Sequence, residues 1–127
     1  MPAWDDYKAQ AKERGALAHE VFVVQSLKNA DGDIPTVLPD HLAYIGSLEA
    51  AGSLMFAGPM SDPTGARNDG DGMLILRAGS LKEATQMAAN DPMHLTGTRS
   101  FTIRKWMINE GTVSLSVGLS AGKVTLG

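Results

Sequence analysis

One histidine stands where an ionisable ring has chemical consequences. His41 lies near the start of an apolar helical pattern, residues 40–51, inside the stretch "PDHLAYIGSLEAAGSLMFAGPMSD" at 39–62. At about 100° per residue, Ile45 lies about 40° from His41 around the helix and Leu48 about 20° away on the other side. The ring therefore falls inside the apolar arc rather than on the solvent face. In a first helical turn, the positive end of the macrodipole and the loss of water both favour neutral imidazole. That is the form able to accept a proton from a substrate. The same placement fits a structural histidine satisfied by a backbone carbonyl or by Asp40.

A base needs an orienting partner. Asp91, in the Asn90-Asp91-Pro92 stop of a later helix, and Asp62, just after an apolar run, are the acids to consider. Asp91 equally fits a helix-stop residue whose carboxylate caps local amides. His94, three residues further on, either joins the same cleft or caps the next turn. Other constellations fail. "DGDG" at 69–72 and "NADGD" at 29–33 lack the third oxygen ligand and the closing glutamate of an EF-hand calcium loop. No P-loop or G-x-G-x-x-G occurs, so no nucleotide cofactor is signalled. The chain has no cysteine, which excludes thiol catalysis, zinc-thiolate sites and disulfides. No cofactor and no metal are expected.

The elements that must position these groups read in order. Residues 3–14 form a helix with Trp4, Tyr7 and Ala11 on one face, Asp5 and Asp6 in its first turn, and Gly15 as its stop. "EVFVVQSL", 20–27, is a β-branched strand apolar on both sides of the pleat. "KNADGDIPTVLP" reads as a loop, followed by the helix at 40–51. "SLMFAGP" is a second strand ended by Gly58-Pro59, the loop at 59–72 follows, and "GMLILRA" is a third strand. "SLKEATQMAANDP" is a helix opened by a Ser80–Glu83 capping box, with Leu81, Ala84 and Ala88 on its buried face. "TRSFTIRKWM", 98–107, alternates as a strand with Phe101, Ile103 and Met107 on one side. Residues 112–126 close the chain as a hairpin turning near Ala121-Gly122.

This is an α+β chain: a ferredoxin-like βαββαβ core at 20–107 with an extra N-terminal helix and a C-terminal β-hairpin, expected as one domain over 1–127. Its two helices run antiparallel, so the end of the second returns toward the start of the first. That brings Asp91 toward His41. The loop at 59–72 becomes a cleft wall, with Gly58, Pro59, Asp62 and His94 as substrate contacts. The helices cover one sheet face, and a second copy of the chain is the economical cover for the other, so a homodimer is expected.

Charge and hydropathy bound the partners. Eleven Lys and Arg against fourteen Asp and Glu give a net charge of −3, which disfavours nucleic acid. Arg99, Arg104 and Lys105 form only a small basic patch on the fourth strand, and the third strand lacks the aromatics of an RNA-recognition sheet. No apolar run reaches the ~18 residues of a membrane span. The first twenty residues show no secretory h-region, so a cytoplasmic location is expected. A small molecule is the expected ligand.

"PDHLAYIGSLEAAGSLMFAGPMSD", then "GMLILRAGSLKEATQMAANDP", then "IRKW" resemble the YciI-like (YCII-related) proteins over about residues 21–107. The resemblance implies a dimeric α/β barrel similar to muconolactone isomerase and a His-Asp pair mapping to His41 and Asp91. One relative acts as a dehydrochlorinase on a chlorinated hydroxyquinone, so a cofactor-free lyase or isomerase is the implied activity. A non-catalytic ligand-binding or accessory module of the same fold is the alternative. Many relatives carry arginines shortly before the histidine. Here "IPTVLPDH" has none, which leaves no arginine in that stretch to hold an anionic substrate.

Overall fold

The computed structural model describes residues 1–127. The chain forms two compact units, residues 20–106 and residues 1–19 together with 107–127. The elements follow one another as α1 (Trp4–Glu13), β1 (His19–Lys28), α2 (Ile34–Ala50), β2 (Leu54–Pro59), β3 (Gly72–Leu76), α3 (Leu81–Ala89), α4 (Pro92–Leu95), β4 (Arg99–Ile108), β5 (Leu115–Val117) and β6 (Val124–Leu126). The main sheet has the order β2-β3-β1-β4, which is the ferredoxin-like arrangement, and it stays open rather than closing into a barrel.

Register decides which side chains meet the helices. Phe22 pairs with Leu76 and Val24 with Leu74 across the antiparallel β1–β3 ladder. These four, with Leu48 of α2 and Ala84 and Ala88 of α3, are the buried core. Phe101 and Ile103 of β4 pack against it from the side. The alternate residues face the other way. Val23 pairs with Ile75 there, and a bulge between Leu54 and Phe56 brings Phe56 beside Ile75 as well. In a single chain the burial of the sheet is therefore largely one-sided: Leu27 of β1, Phe56 of β2 and Trp106 of β4 remain exposed. The edge position of β2 explains why its residues from Phe56 onward are open.

Three local expectations are corrected. The helix carrying His41 starts at Ile34, not at residue 40. Pro35 sits in the first turn, where a helix makes no bond through that N–H. Pro39 lies inside the helix and forgoes one backbone bond. Leu81 is exposed, so the buried face of α3 is carried by Ala84 and Ala88. In the capping box, Ser80 Oγ accepts from Glu83 N at 3.1 Å, but the Glu83 carboxylate reaches one residue further and accepts from Gly79 N at 3.0 Å.

In the unit formed by both termini, Ala11, Ala18 and Met107 are buried with Trp4, Tyr7 and Ala16 packed against them. Met107 thus serves this cluster rather than the one that holds Phe101 and Ile103. The closing hairpin is antiparallel, pairing Leu115 with Leu126 and Val117 with Val124. All of these side chains are exposed.

Candidate active site

The early start of α2 builds one wall of a cleft. Ile34, Leu38, His41, Leu42 and Ile45 recur at helical spacing and line the same cavity of about 400 Å³. Ala57, Gly58 and Pro59 at the end of β2, and Asn68 and Gly70 in the loop that follows, line it as well, as do Met73 and Leu74 of β3. The loop is braced by its own backbone: Met60 N donates to Asp71 O at 2.9 Å, and Asp62 N to Arg67 O at 2.8 Å. Of the sequence-expected substrate contacts, Gly58 and Pro59 line the cleft, whereas Asp62 and His94 do not.

His41 and Asp91 come together. His41 Nδ1 lies 2.8 Å from Oδ1 and 3.0 Å from Oδ2 of Asp91. A carboxylate only accepts, so Nδ1 carries the hydrogen; in the neutral ring the lone pair is then on Nε2. Nε2 has no hydrogen-bond partner in the protein, and the side chain is 12% exposed at the cleft. Asp91 is buried, at 1% exposure, and it is also the N-cap of α4, where Oδ1 accepts from Met93 N at 2.9 Å. The helix-stop reading and the pairing with His41 thus describe one carboxylate with two bonds. Pro92 at the first position of α4 holds the turn that aims it. The dipole argument for His41 falls away, since the ring sits well past the first turn of α2, beyond the reach of its terminal partial charge.

Two neighbours that sequence reasoning passed over complete the surroundings. The Tyr44 hydroxyl donates to Met87 O at 2.8 Å and ties α2 to α3; burial, then the charge of Asp91, pushes its phenol up. Arg99 was grouped with Arg104 and Lys105 as a surface patch, but it is buried and lines the cleft. Its shared strand parity with Phe101 and Ile103, both on the core side, is the available signal. The cleft therefore does hold an arginine, delivered by β4 rather than by the segment before His41.

The remaining candidates have structural partners. His94 Nδ1 donates to Ala88 O at 2.6 Å, Nε2 is hydrogen-bonded to the buried Ser26 hydroxyl at 2.6 Å, and the ring lies 4.6 Å from that of Phe101. Asp62 closes its own loop, accepting from Thr64 Oγ1 at 2.8 Å and from the amides of Ala66 and Arg67. In "DGDG", Asp71 accepts from Lys28 N at 2.9 Å and Asp69 faces Arg67. No helix is long and apolar enough to cross a membrane.

A family model described as the YCII-related domain matches residues 21–107. The uncharacterized protein YjpA of Bacillus subtilis is 31% identical over 70 residues, covering 55% of this chain and 75% of that protein. Among solved structures, the 5-chloro-2-hydroxyhydroquinone dehydrochlorinase of Burkholderia phenoliruptrix, in complex with 2,5-dihydroxybenzoquinone, aligns with a TM-score of 0.51. It is 20% identical, and the match covers 67% of this chain and 92% of that one. At that identity the likeness speaks for the fold.

Proposed function

The chain belongs to the YCII-related family, and on that premise we propose that the cleft is the active site of a small-molecule enzyme, a cofactor-free lyase or isomerase. His41 exchanges the proton and Asp91 orients its ring. The observation that carries this reading is the 2.8 Å bond from His41 Nδ1 to a buried carboxylate, which leaves Nε2 free at the cleft. With Nδ1 committed, Nε2 takes a proton from a substrate carbon or hydroxyl. The imidazolium so formed lies against the Asp91 carboxylate, which stabilises it. The proton is then returned at another position, giving isomerisation, or a leaving group departs, giving elimination. The apolar wall from Ile34, Leu38 and Ile45 suits a compact carbon skeleton and excludes water from the proton transfer. The dehydrochlorinase of similar fold lends this reading support by analogy.

The test is a turnover screen of hydroxyquinones, lactones and related enols on wild type beside His41→Asn. Turnover by wild type, reduced about 100-fold or more in the folded variant, is expected for loss of a general base. A compound held by the cleft and released unchanged by both proteins favours a binding module instead.

The same reading includes a homodimer, supported by the exposed Leu27, Phe56 and Trp106 and by the apolar side of the closing hairpin. Leu115, Leu126, Val117 and Val124 share that side, with Ser116 and Thr125 on the other. A lone two-stranded hairpin is marginal in water, and a partner subunit supplies what it lacks. Light scattering giving the 13.4 kDa monomer mass for a stable protein defeats the dimer. A folded monomer after deletion of residues 110–127 assigns the clasp to the hairpin.

A further inference from the structure

One charged group at the cleft is not explained by the acid–base pair. Arg99 is 9% exposed, yet it takes part in none of the ion pairs of the chain. Its only hydrogen bond to protein runs from Nε to Gly70 O, at 2.7 Å. The donors on its two terminal nitrogens are unused, although a guanidinium offers them in a rigid planar fork. Burial lowers the pKa of Arg99, and the nearby charges of Asp91 and Asp71 work the other way. A guanidinium nonetheless keeps its proton in proteins, so the cleft holds a buried cation with no direct counter-charge. That arrangement is costly unless something else supplies the anion.

The backbone beside the guanidinium supplies its one protein acceptor. Gly70, at φ +98°, turns its carbonyl to Nε, and a Cβ there would strike the Lys28 side chain. At Gly72, a Cβ would come within 3.3 Å of Gly58 O and 3.6 Å of Arg99 Nη1. In "DGDG", which looks like part of a calcium loop, the carbonyl of Gly70 thus holds an arginine. The cleft walls named above are otherwise mostly apolar, so the site offers one positive fork among carbon side chains.

We propose that Arg99 is the anion-binding group of the cleft, and that the substrate is a small, otherwise apolar molecule bearing one oxyanion. That oxyanion is a carboxylate or the ionised hydroxyl of an acidic enol or phenol. Arg99 pairs with it through its terminal nitrogens, which fixes the molecule beside His41. If the oxyanion is conjugated to the reacting carbon, the same contact holds the charge that develops when His41 removes the proton. The inference rests on the reading of this cleft as the substrate site.

Binding of probes tests it without a known substrate. Benzoate and para-nitrophenolate are titrated against their neutral counterparts, benzyl alcohol and nitrobenzene, by calorimetry and chemical-shift perturbation. The proteins are the full-length wild type, Arg99→Gln and Arg99→Lys. Wild type should prefer the anions by about ten- to a hundredfold, the worth of a charge-assisted hydrogen-bonded pair. Arg99→Gln should abolish the preference, and Arg99→Lys should keep part of it. Equal affinity of wild type for anion and neutral partner overturns the inference, as does a preference that survives in Arg99→Gln. Should Arg99→Gln not fold, an undiminished preference in Arg99→Lys overturns it, because the fork is lost there. Anion preference without turnover of any compound sinks the acid–base reading alone. Turnover without anion preference sinks the role of Arg99 alone.

Discussion

Replacing Asp91 tests the site through stability and ring chemistry, before any substrate is known. Asp91→Ala removes two bonds at once: the cap to Met93 N at 2.9 Å and the acceptor for His41 Nδ1 at 2.8 Å. Loss of an N-cap side chain costs about 1 kcal/mol. A largely buried N–H left without a partner costs about 1–3 kcal/mol. Relief from burying the carboxylate offsets part of this, so the net loss should be about 1–3 kcal/mol. For a chain of this size that lowers Tm by roughly 3–11 °C, read by circular dichroism. Asp91→Asn keeps the shape but replaces the second oxygen at the ring. Its amide oxygen, at the Oδ1 position, still accepts from Met93 N and from His41 Nδ1, while an NH2 group takes the place of Oδ2, 3.0 Å from Nδ1. That group opposes a hydrogen on Nδ1, so the share of the ring carrying its hydrogen there should fall. Nitrogen-15 correlation spectra of the imidazole report this directly. The reasoning is refuted if the wild-type ring carries its hydrogen on Nε2 at neutral pH. It is equally refuted if Asp91→Ala melts within about 2 °C of wild type.

His94→Ala should cost about 2–3 kcal/mol, from the bonds to Ala88 O and Ser26 and the ring contact with Phe101, with probe binding at the cleft unchanged. Lost binding at full stability returns His94 to the site. Gly32→Ala drives a Cβ against the carbonyl oxygen of Thr98, which already accepts from Asn29 N; urea unfolding should show a loss of about 1–3 kcal/mol, and an unchanged midpoint contradicts the close approach. The hydrogen bond from Thr64 holds the Asp62 carboxyl below its ordinary range, with the amides of Arg67, Ala66 and Gly65 adding to it and burial opposing. Its support of the loop is thus complete above the ordinary carboxylate range and fades as pH falls through the lowered value. Amide exchange at Ala66 and Arg67, corrected for its intrinsic pH dependence, should accelerate only there, and acceleration nearer neutrality contradicts it.

The order of the elements was legible because local physics sets it. The β-branched run "EVFVVQSL", the alternation in "TRSFTIRKWM", the Ser80–Glu83 cap and the proline after Asp91 each act within a few residues. The approach of Asp91 to His41 also followed, since the antiparallel helices of βαββαβ leave few choices. What tertiary structure alone decided lies where a residue's role depends on what faces it. Pro35 and Pro39 read as loop, yet the first turn tolerates one and α2 absorbs the other, which adds Ile34 and Leu38 to the cleft. His94 carries the same side chain as His41, but its two nitrogens are spent on Ala88 and Ser26, partners that only packing brings near. Arg99 belongs by charge with the exposed Arg104 and Lys105. Strand parity and the carbonyl of Gly70 turn it inward, because the face of a strand that is buried is set by the layer packed on it and not by the charge it carries.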